Sequence, residues 1–340
     1  MKKFFIRDGR LQTRAYIILI LLPIVCTFLS ICMGRIYISP KKIINLFIDL
    51  LNRNAYEEET FVLVMKIRLP GIITALLVGG GLSLSGLSFQ AIFTNPLATP
   101  DILGVSSAAS LGAIIGILLS KDLIAIQFLG LIFGFLAVII AIKLAKIGGE
   151  RSIIQLVLSG IIMSSLFNAL GAILKYTADP YDKLPQITYW LMGSFARSSY
   201  KGILLALPFT LLGIIIIFAL KWQLNILSLS DDEAKSMGIN LNLMRFLFIL
   251  ASTMITASSI AICGQIGWMG LIIPHISRLL IGADNRHLAP FCLSIGSAVM
   301  VLIEAFSRTA SVISLPISTM TAIIGAPIFL FAMKQNRGVS

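Results

Sequence analysis

Few side chains in this 340-residue sequence are of the kinds that make and break bonds, and those few are scattered. His275 and His287 are the only histidines, and the four cysteines are Cys26, Cys32, Cys263 and Cys292. No CxxC pair joins the cysteines. They lie in or beside apolar runs, where small thiols are packing residues, so no metal or redox site is expected from them. Two lone histidines do not form the clustered constellation that a membrane enzyme would need. A histidine on an apolar helix is more often a hydrogen-bonded packing residue than a ligand. The sequence has no Gly-Lys dipeptide, hence no Walker A loop to cradle phosphates. What remains is pairing and capping chemistry. Glu304 and Arg308 stand four apart in the favourable order for a helical ion pair, and Ser230 with Glu233 makes a capping box.

The elements that must hold these residues are set by composition. Hydrophobic residues make up 57% of the chain, charged residues 12%, and the mean hydropathy is +0.96. Soluble domains carry about 25% charged residues, and no water-soluble globule of this size hides so much apolar surface. Disorder, a disulfide scaffold and a coiled coil are excluded on the same ground. The reading is an all-α polytopic membrane protein. Its net charge of +12 does not indicate nucleic acid, because the cations sit in small groups between apolar stretches, where they anchor spans at headgroups.

A bilayer core of about 30 Å needs about 20 apolar residues per helix. Runs of that kind predict about ten spans: Ala15–Gly34, Leu69–Leu87, Ile102–Leu119, Leu123–Leu144, Ile153–Leu174, Ile203–Leu220, Phe246–Cys263, Ile266–Ile281, Leu288–Phe306 and Ile317–Met333. An even number puts both termini on one side. The tail 1–14 carries Lys2, Lys3, Arg7, Arg10 and Arg14, reads as cytoplasmic, and leads into an uncleaved anchor rather than a signal peptide. One transmembrane domain then covers 15–335, and 336–340 form a short C-terminal tail. The small residues of Val78–Gly86 and the GxxxG pairs Gly112/Gly116 and Gly130/Gly134 supply close helix packing. No internal repeat is evident, which disfavours folds made of two similar halves.

Four segments are unusual for a plain bundle. Ile67-Arg68-Leu69-Pro70 puts a proline at the first turn of the second span and a cation at its outer face. Gln90 to Asp101 holds two prolines and an asparagine, so the helix breaks at the inner face and Asp101 is placed to cap the next one. Irregular backbone at such depth survives only against protein or a water-filled cavity. Within the segment 222–241, Ser230 to Gly238 predicts a capped helix of about two turns, too short to span and suited to docking. The fourth is Gly267 to Arg278, followed by Asp284, Arg286 and His287.

Together these segments resemble one family. The stretch S-G-x-x-x-Q-x-x-x-x-N-P-L-A-x-P-x-x-L-G-V-S at Ser85–Ser106 is similar to the permease subunits of type II ABC importers for ferric siderophores, haem and vitamin B12, the FecCD or BtuC-like family. So are L-S-L-S-D-D-E-A-K-S-M-G, G-W-M-G-L-I-I-P-H-I-S-R-L and I-G-A-P-I-F-L at Ile324–Leu330, in order along almost the whole chain. The resemblance implies a BtuC-like permease fold and a homodimer in the cell membrane of a bacterium or archaeon. Two cytoplasmic ABC ATPase subunits would hold the ATP and magnesium, with an extracytoplasmic substrate-binding protein above. This chain would catalyse nothing and bind no cofactor. Residue by residue, it implies that Arg68 and Arg308 engage the binding protein. It makes Asn95 and Leu97 a cytoplasmic gate, with Ser152 and Ile153 at a second one. Ser230, Asp231, Asp232, Glu233, Ala234, Met237 and Gly238 would couple to the ATPase, and Met163, Ser164, Asn168 and Thr321 would line the pathway. Gly71 stands where an arginine is common in the family. The leading cargo is a ferric siderophore, with haem, cobalamin or molybdate as alternatives. A gradient-driven secondary transporter is the other class, and it would need free intramembrane carboxylates that the spans almost lack, Glu304 being the main one.

Overall fold

A computed structural model describes residues 2–7, 9–120, 122–147, 153–311 and 314–336. Helices dominate. The long apolar ones are α1 (Thr13–Cys32), α3 (Leu69–Ile92), α5 (Leu123–Ile147), α6 (Ile153–Thr177), α8 (Tyr200–Ala219), α11 (Leu241–Cys263), α13 (Asn285–Ala310) and α14 (Ile317–Asn336). Two shorter apolar helices, α4 (Val105–Leu119) and α12 (Met269–Ile281), complete the bundle. Between them lie α2 (Pro40–Asn52), α7 (Lys183–Leu191), α9 (Gln223–Leu227) and α10 (Asp231–Ser236). The ten spans expected from hydropathy are all present as helices. A two-residue antiparallel pair, Ile6–Arg7 with Arg10–Leu11, sits in the N-terminal tail.

Helix α3 is the axis of the packing. Almost every residue from Pro70 to Ile92 is buried, and α13, α11, α12 and α8 surround it. Small residues permit this, since helices in lipid associate by close backbone approach rather than by burying apolar area. A Cβ on Gly86 would overlap the Gly270 backbone of α12. Burial then falls off outward: 83% of the apolar window of α11 is buried and 72% of that of α13, against 28% for α6. Helix α6 therefore carries one wide apolar face that nothing in this subunit covers.

Three local expectations are corrected. The second span does not start at Leu69, because the rod is continuous from Glu58 and passes through a π-helical stretch, Val62–Arg68. Pro70 is thus not in a first turn; a widened turn just ahead of it accommodates the ring and the missing N–H. The third span begins at Val105 rather than Ile102, because Pro100–Leu103 forms a 3-10 turn and Gly104, at φ 77°, redirects the chain. Asp101 does not cap α4. Its carboxylate instead accepts a hydrogen bond from the Ser106 hydroxyl. The eighth span begins at Met269 after an irregular stretch with Gly264 at φ 79° and Trp268 at φ 71°.

Candidate functional site

The polar groups gather at three levels. At the end far from the N-terminal tail, Glu304 sits one helical turn before Arg308 on α13. Arg308 Nε donates to Glu304 Oε1 at 2.9 Å and Nη2 to Oε2 at 3.1 Å. The same guanidinium donates to the carbonyls of Ser30 (2.9 Å) and Met33 (3.1 Å), closing the last turn of α1. Ser30 Oγ donates to Glu304 Oε2 at 3.1 Å. Arg68 is only 2% exposed and donates to the carbonyls of Ile31 and Ile36. Arg68, expected to meet an outside partner, gives donors to carbonyls in the last turn of α1 and the loop after it while lining the far-end cavity. Arg35, which sequence reasoning passed over, is the exposed arginine on the rim of the same cavity of about 330 Å³. A Cβ on Gly71 would stand 3.3 Å from Glu304 Oε1, so the glycine leaves room for this compact cluster.

At the opposite end of α3, the chain turns through Thr94 at φ 45°. The Asn95 N–H bonds the Gln90 carbonyl (3.1 Å), and Asn95 Oδ1 accepts from the Leu97 N–H (2.9 Å). This Asx-type turn holds Leu97 outward, 53% exposed. The turn is anchored from behind. Arg278 Nη1 donates to Gln90 Oε1 at 2.5 Å, and Gln90 Nε2 donates to the Gly270 carbonyl at 3.2 Å. Gln90 and Arg278 belong to the quoted motifs, yet their pairing across 188 residues has no local signal in the sequence. Ile153 opens α6 and lines a cavity of about 450 Å³ with Ile92, Asn240 and Arg245. Ser152 lies outside the described residues. Of the residues expected along a pathway, Asn168 is exposed and Ser164 half-buried on α6. Met163 and Thr321 are buried within the subunit.

Beyond α8 the chain forms the segment 222–241, which holds the short helices α9 and α10. Ser230 caps α10 through the Glu233 N–H, and Glu233 Oε2 returns to the Ser230 N–H at 3.1 Å, the capping box read from sequence. Ala234 packs inward while Asp232, Glu233 and Met237 face out, and Gly238 ends the helix at φ 75°. Asp231 is bidentate with Arg245 of α11, at 2.5 and 3.2 Å. Hydrogen bonding from Arg245 holds the Asp231 carboxyl below its ordinary range, and Ser230 does the same for Glu233. A second fastening joins Asn225 of α9 to Asp284 at 2.8 Å, with the Asn285 N–H returning to Asn225 Oδ1 at 2.8 Å. Arg286 grips Asp284 and lies over the Trp222 ring, 4.7 Å from its centre. Partial burial pushes the Asp284 carboxyl up, but Arg286 and Asn225 outweigh it and hold it well below the carboxylate range. His287 meets the Gly9 carbonyl at 3.1 Å, and His275 stands edge-on to Phe329. All four cysteines are free and buried, and no metal-binding cluster occurs among the described residues.

Comparison with known proteins gives one consistent answer. Residues 20–335 match the FecCD transport family. The molybdate import system permease protein MolB of Haemophilus influenzae is 41% identical over 276 residues, covering 81% of this chain and 82% of that protein. A probable iron chelatin transport system permease of Helicobacter pylori is 40% identical over 279 residues, 82% of this chain and 84% of the relative. The vitamin B12 import system permease BtuC of Klebsiella pneumoniae is 34% identical, with coverage of 94% and 93%. A solved inward-facing conformation of a metal-chelate type ABC transporter superposes with a TM-score of 0.81 at 37% identity, covering 93% of this chain and 97% of that one.

Proposed function

This chain belongs to the FecCD transport family, and from that membership we propose that it forms one half of a homodimeric importer for a ferric siderophore. It is a multi-pass membrane permease. Two ABC ATPase subunits, carrying ATP and magnesium, grip the coupling segment at the cytoplasmic face, and a substrate-binding protein delivers cargo at the other. Both termini lie in the cytoplasm. Relatives named for iron chelatin and metal-chelate transport support a chelated-metal cargo. Haem, cobalamin and molybdate are the alternatives that other relatives' names raise. The uncovered face of α6 supports a second copy across a shared pathway. Near the far end, Arg308 and the exposed Arg35 provide the cationic rim for an acidic partner.

One observation carries this reading. Helix α10 is capped at both ends, exposed, too short to cross a bilayer, and fastened to α11 through Arg245. A force applied to it reaches the bundle directly. A gradient-driven carrier has no use for such a projection, and Glu304, which it would need free, is committed to Arg308 and Ser30. Replacing Asp231–Glu233 with Gly-Ser-Gly is expected to cut ATP-driven uptake of radiolabelled ferric siderophore in proteoliposomes at least tenfold, with complex ATPase activity persisting. Uptake at the normal rate would remove the coupling role. Accumulation by the subunit alone would remove the importer reading.

A further inference from the structure

An exposed carboxylate stands at the middle of the bundle. Leu82 lies near the middle of α3, about ten residues before Ile92, hence about 15 Å from that end at 1.5 Å per residue. Asp101 lines a small recess together with Leu82, Thr256, Gly270 and Trp268. Gly104, three residues on, sits against Ser164 at the midpoint of α6. Both gauges place the Pro100–Leu103 turn at mid-depth. Asp101 is exposed although it stands deep in the protein, receives a hydrogen bond from Ser106, and shares its recess with no lysine, arginine or histidine among the described residues. Neither a free carboxylate nor a non-helical turn is tolerated against lipid tails. The turn is held by protein on its buried side, where Pro100 and Leu103 pack, and the exposed carboxylate faces a water-filled space rather than lipid.

Trp268 forms the opposite wall. It begins α12 at φ 71°, a conformation that a bulky side chain rarely adopts and that persists only where the surroundings enforce it. The residue is 36% exposed and packs beside Gly325 of α14, where a Cβ would overlap Ile272 and crowd the Trp268 Cβ and Cγ at 3.2–3.3 Å. A carboxylate beside an aromatic face attracts cations and N–H or O–H donors and repels anions.

We propose that Asp101, Ser106 and Trp268 form a mid-membrane cargo station, two copies of which face the shared pathway and admit neutral or cationic metal chelates while rejecting small oxyanions. This rests on the permease reading above and narrows its cargo class. The station acts by charge: a dianion must pass two carboxylates, whereas a neutral ferric trihydroxamate, its three hydroxamate oxygens deprotonated on iron, carries no charge for them to repel.

The test uses the permease–ATPase complex in proteoliposomes with Ser164→Cys as a reporter next to Gly104. Cationic and anionic methanethiosulfonates of similar size are applied, each rate normalised to that reagent's rate with a free thiol in solution. The cationic reagent is expected to react at least tenfold faster, and Asp101→Asn should bring the ratio within threefold of unity. Equal rates in the Asp101 parent, or no modification by either reagent, would overturn the station. ATP-driven accumulation of molybdate at the rate of the neutral ferric trihydroxamate would overturn the cargo class while leaving the permease reading intact. Loss of all ATP-driven uptake with the tenfold ratio preserved would instead fault the permease reading.

Discussion

At the far end of the bundle a buried glutamate lies beside one sealed arginine and one half-buried arginine, while at the tail end two aspartates pair with arginines nearer the surface. The parts are alike. Arg68 is 2% exposed, and Glu304 and Arg308 keep 6% and 17% of their side-chain surfaces; Asp231 keeps 52% although its partner Arg245 keeps 13%, and Asp284 and Arg286 keep 29% and 46%. Burial changes what such pairs do. A sealed charge cannot be released without stranding its partner, so the far-end cluster behaves as a rigid staple joining α1, the start of α3 and α13. An exposed pair contributes little to stability and exchanges partners easily. The tail-end pairs are therefore suited to transmitting force from a docked partner, and the far-end cluster to resisting it.

Breaking the sealed cluster is expected to give the largest effect. Glu304→Gln removes the acid that Arg308 grips beside the buried Arg68 and should destabilise the protein by about 3–5 kcal/mol, the range for removing one member of a buried pair. Thermal unfolding in detergent would show it as a large fall in midpoint. The double variant Glu304→Leu with Arg308→Leu should recover most of the loss, since Arg68 keeps its carbonyl acceptors from α1 and the loop after it. A single variant as stable as the parent would mean that the cluster is solvated and the contrast between the ends is wrong.

Asp284→Asn tests the intermediate case. It leaves an N-cap oxygen in place, since an asparagine Oδ1 still accepts from the Arg286 N–H, but weakens the charge-assisted bonds from Asn225 and the Arg286 guanidinium, a loss of about 1–2 kcal/mol at neutral pH. Its pH dependence has a defined sign. The folded-state carboxyl is held below its unfolded value near 3.9, so its contribution is fully present above about pH 4 and fades as pH falls further. The stability gap between parent and variant should therefore shrink in acid. A gap that stayed constant down to pH 3 would assign the effect to packing over Trp222 instead.

Legibility followed the range of the interactions. Helix α10 was readable to the residue because capping boxes and terminal glycines act within one turn. Seven of the spans were readable because apolar length specifies them, and the remaining three are shorter apolar helices whose apolar runs were still visible in the sequence. By contrast, the burial of Arg68 depends on the end of α1 meeting the π-helical stretch, more than thirty residues apart, and nothing local signals it. The Arg278–Gln90 bond and the recess around Asp101 join segments separated by more than 150 residues in the same way. Helix α2 was missed although Ser39-Pro40 is an N-cap and first-turn pair, because the search was for runs long enough to span.

The smallest expected effect sharpens the contrast most. Ser230→Ala deletes one half of the capping box, which costs such a helix about 0.5–1 kcal/mol. Global stability should hardly change, because α10 is exposed and its unfolding need not disturb the bundle. The helix is still held by Asp231–Arg245 at its first turn and by Gly238 at its end. A docked ATPase would re-form a frayed first turn, so uptake per ATP hydrolysed should fall by less than threefold, with the midpoint of unfolding unmoved. Ser230→Asp should restore the ratio, since aspartate caps as well as serine. If Ser230→Ala instead lowered the unfolding midpoint as Glu304→Gln is expected to, α10 would be part of the bundle's own stability, and the division between a rigid far end and a movable tail end would not hold.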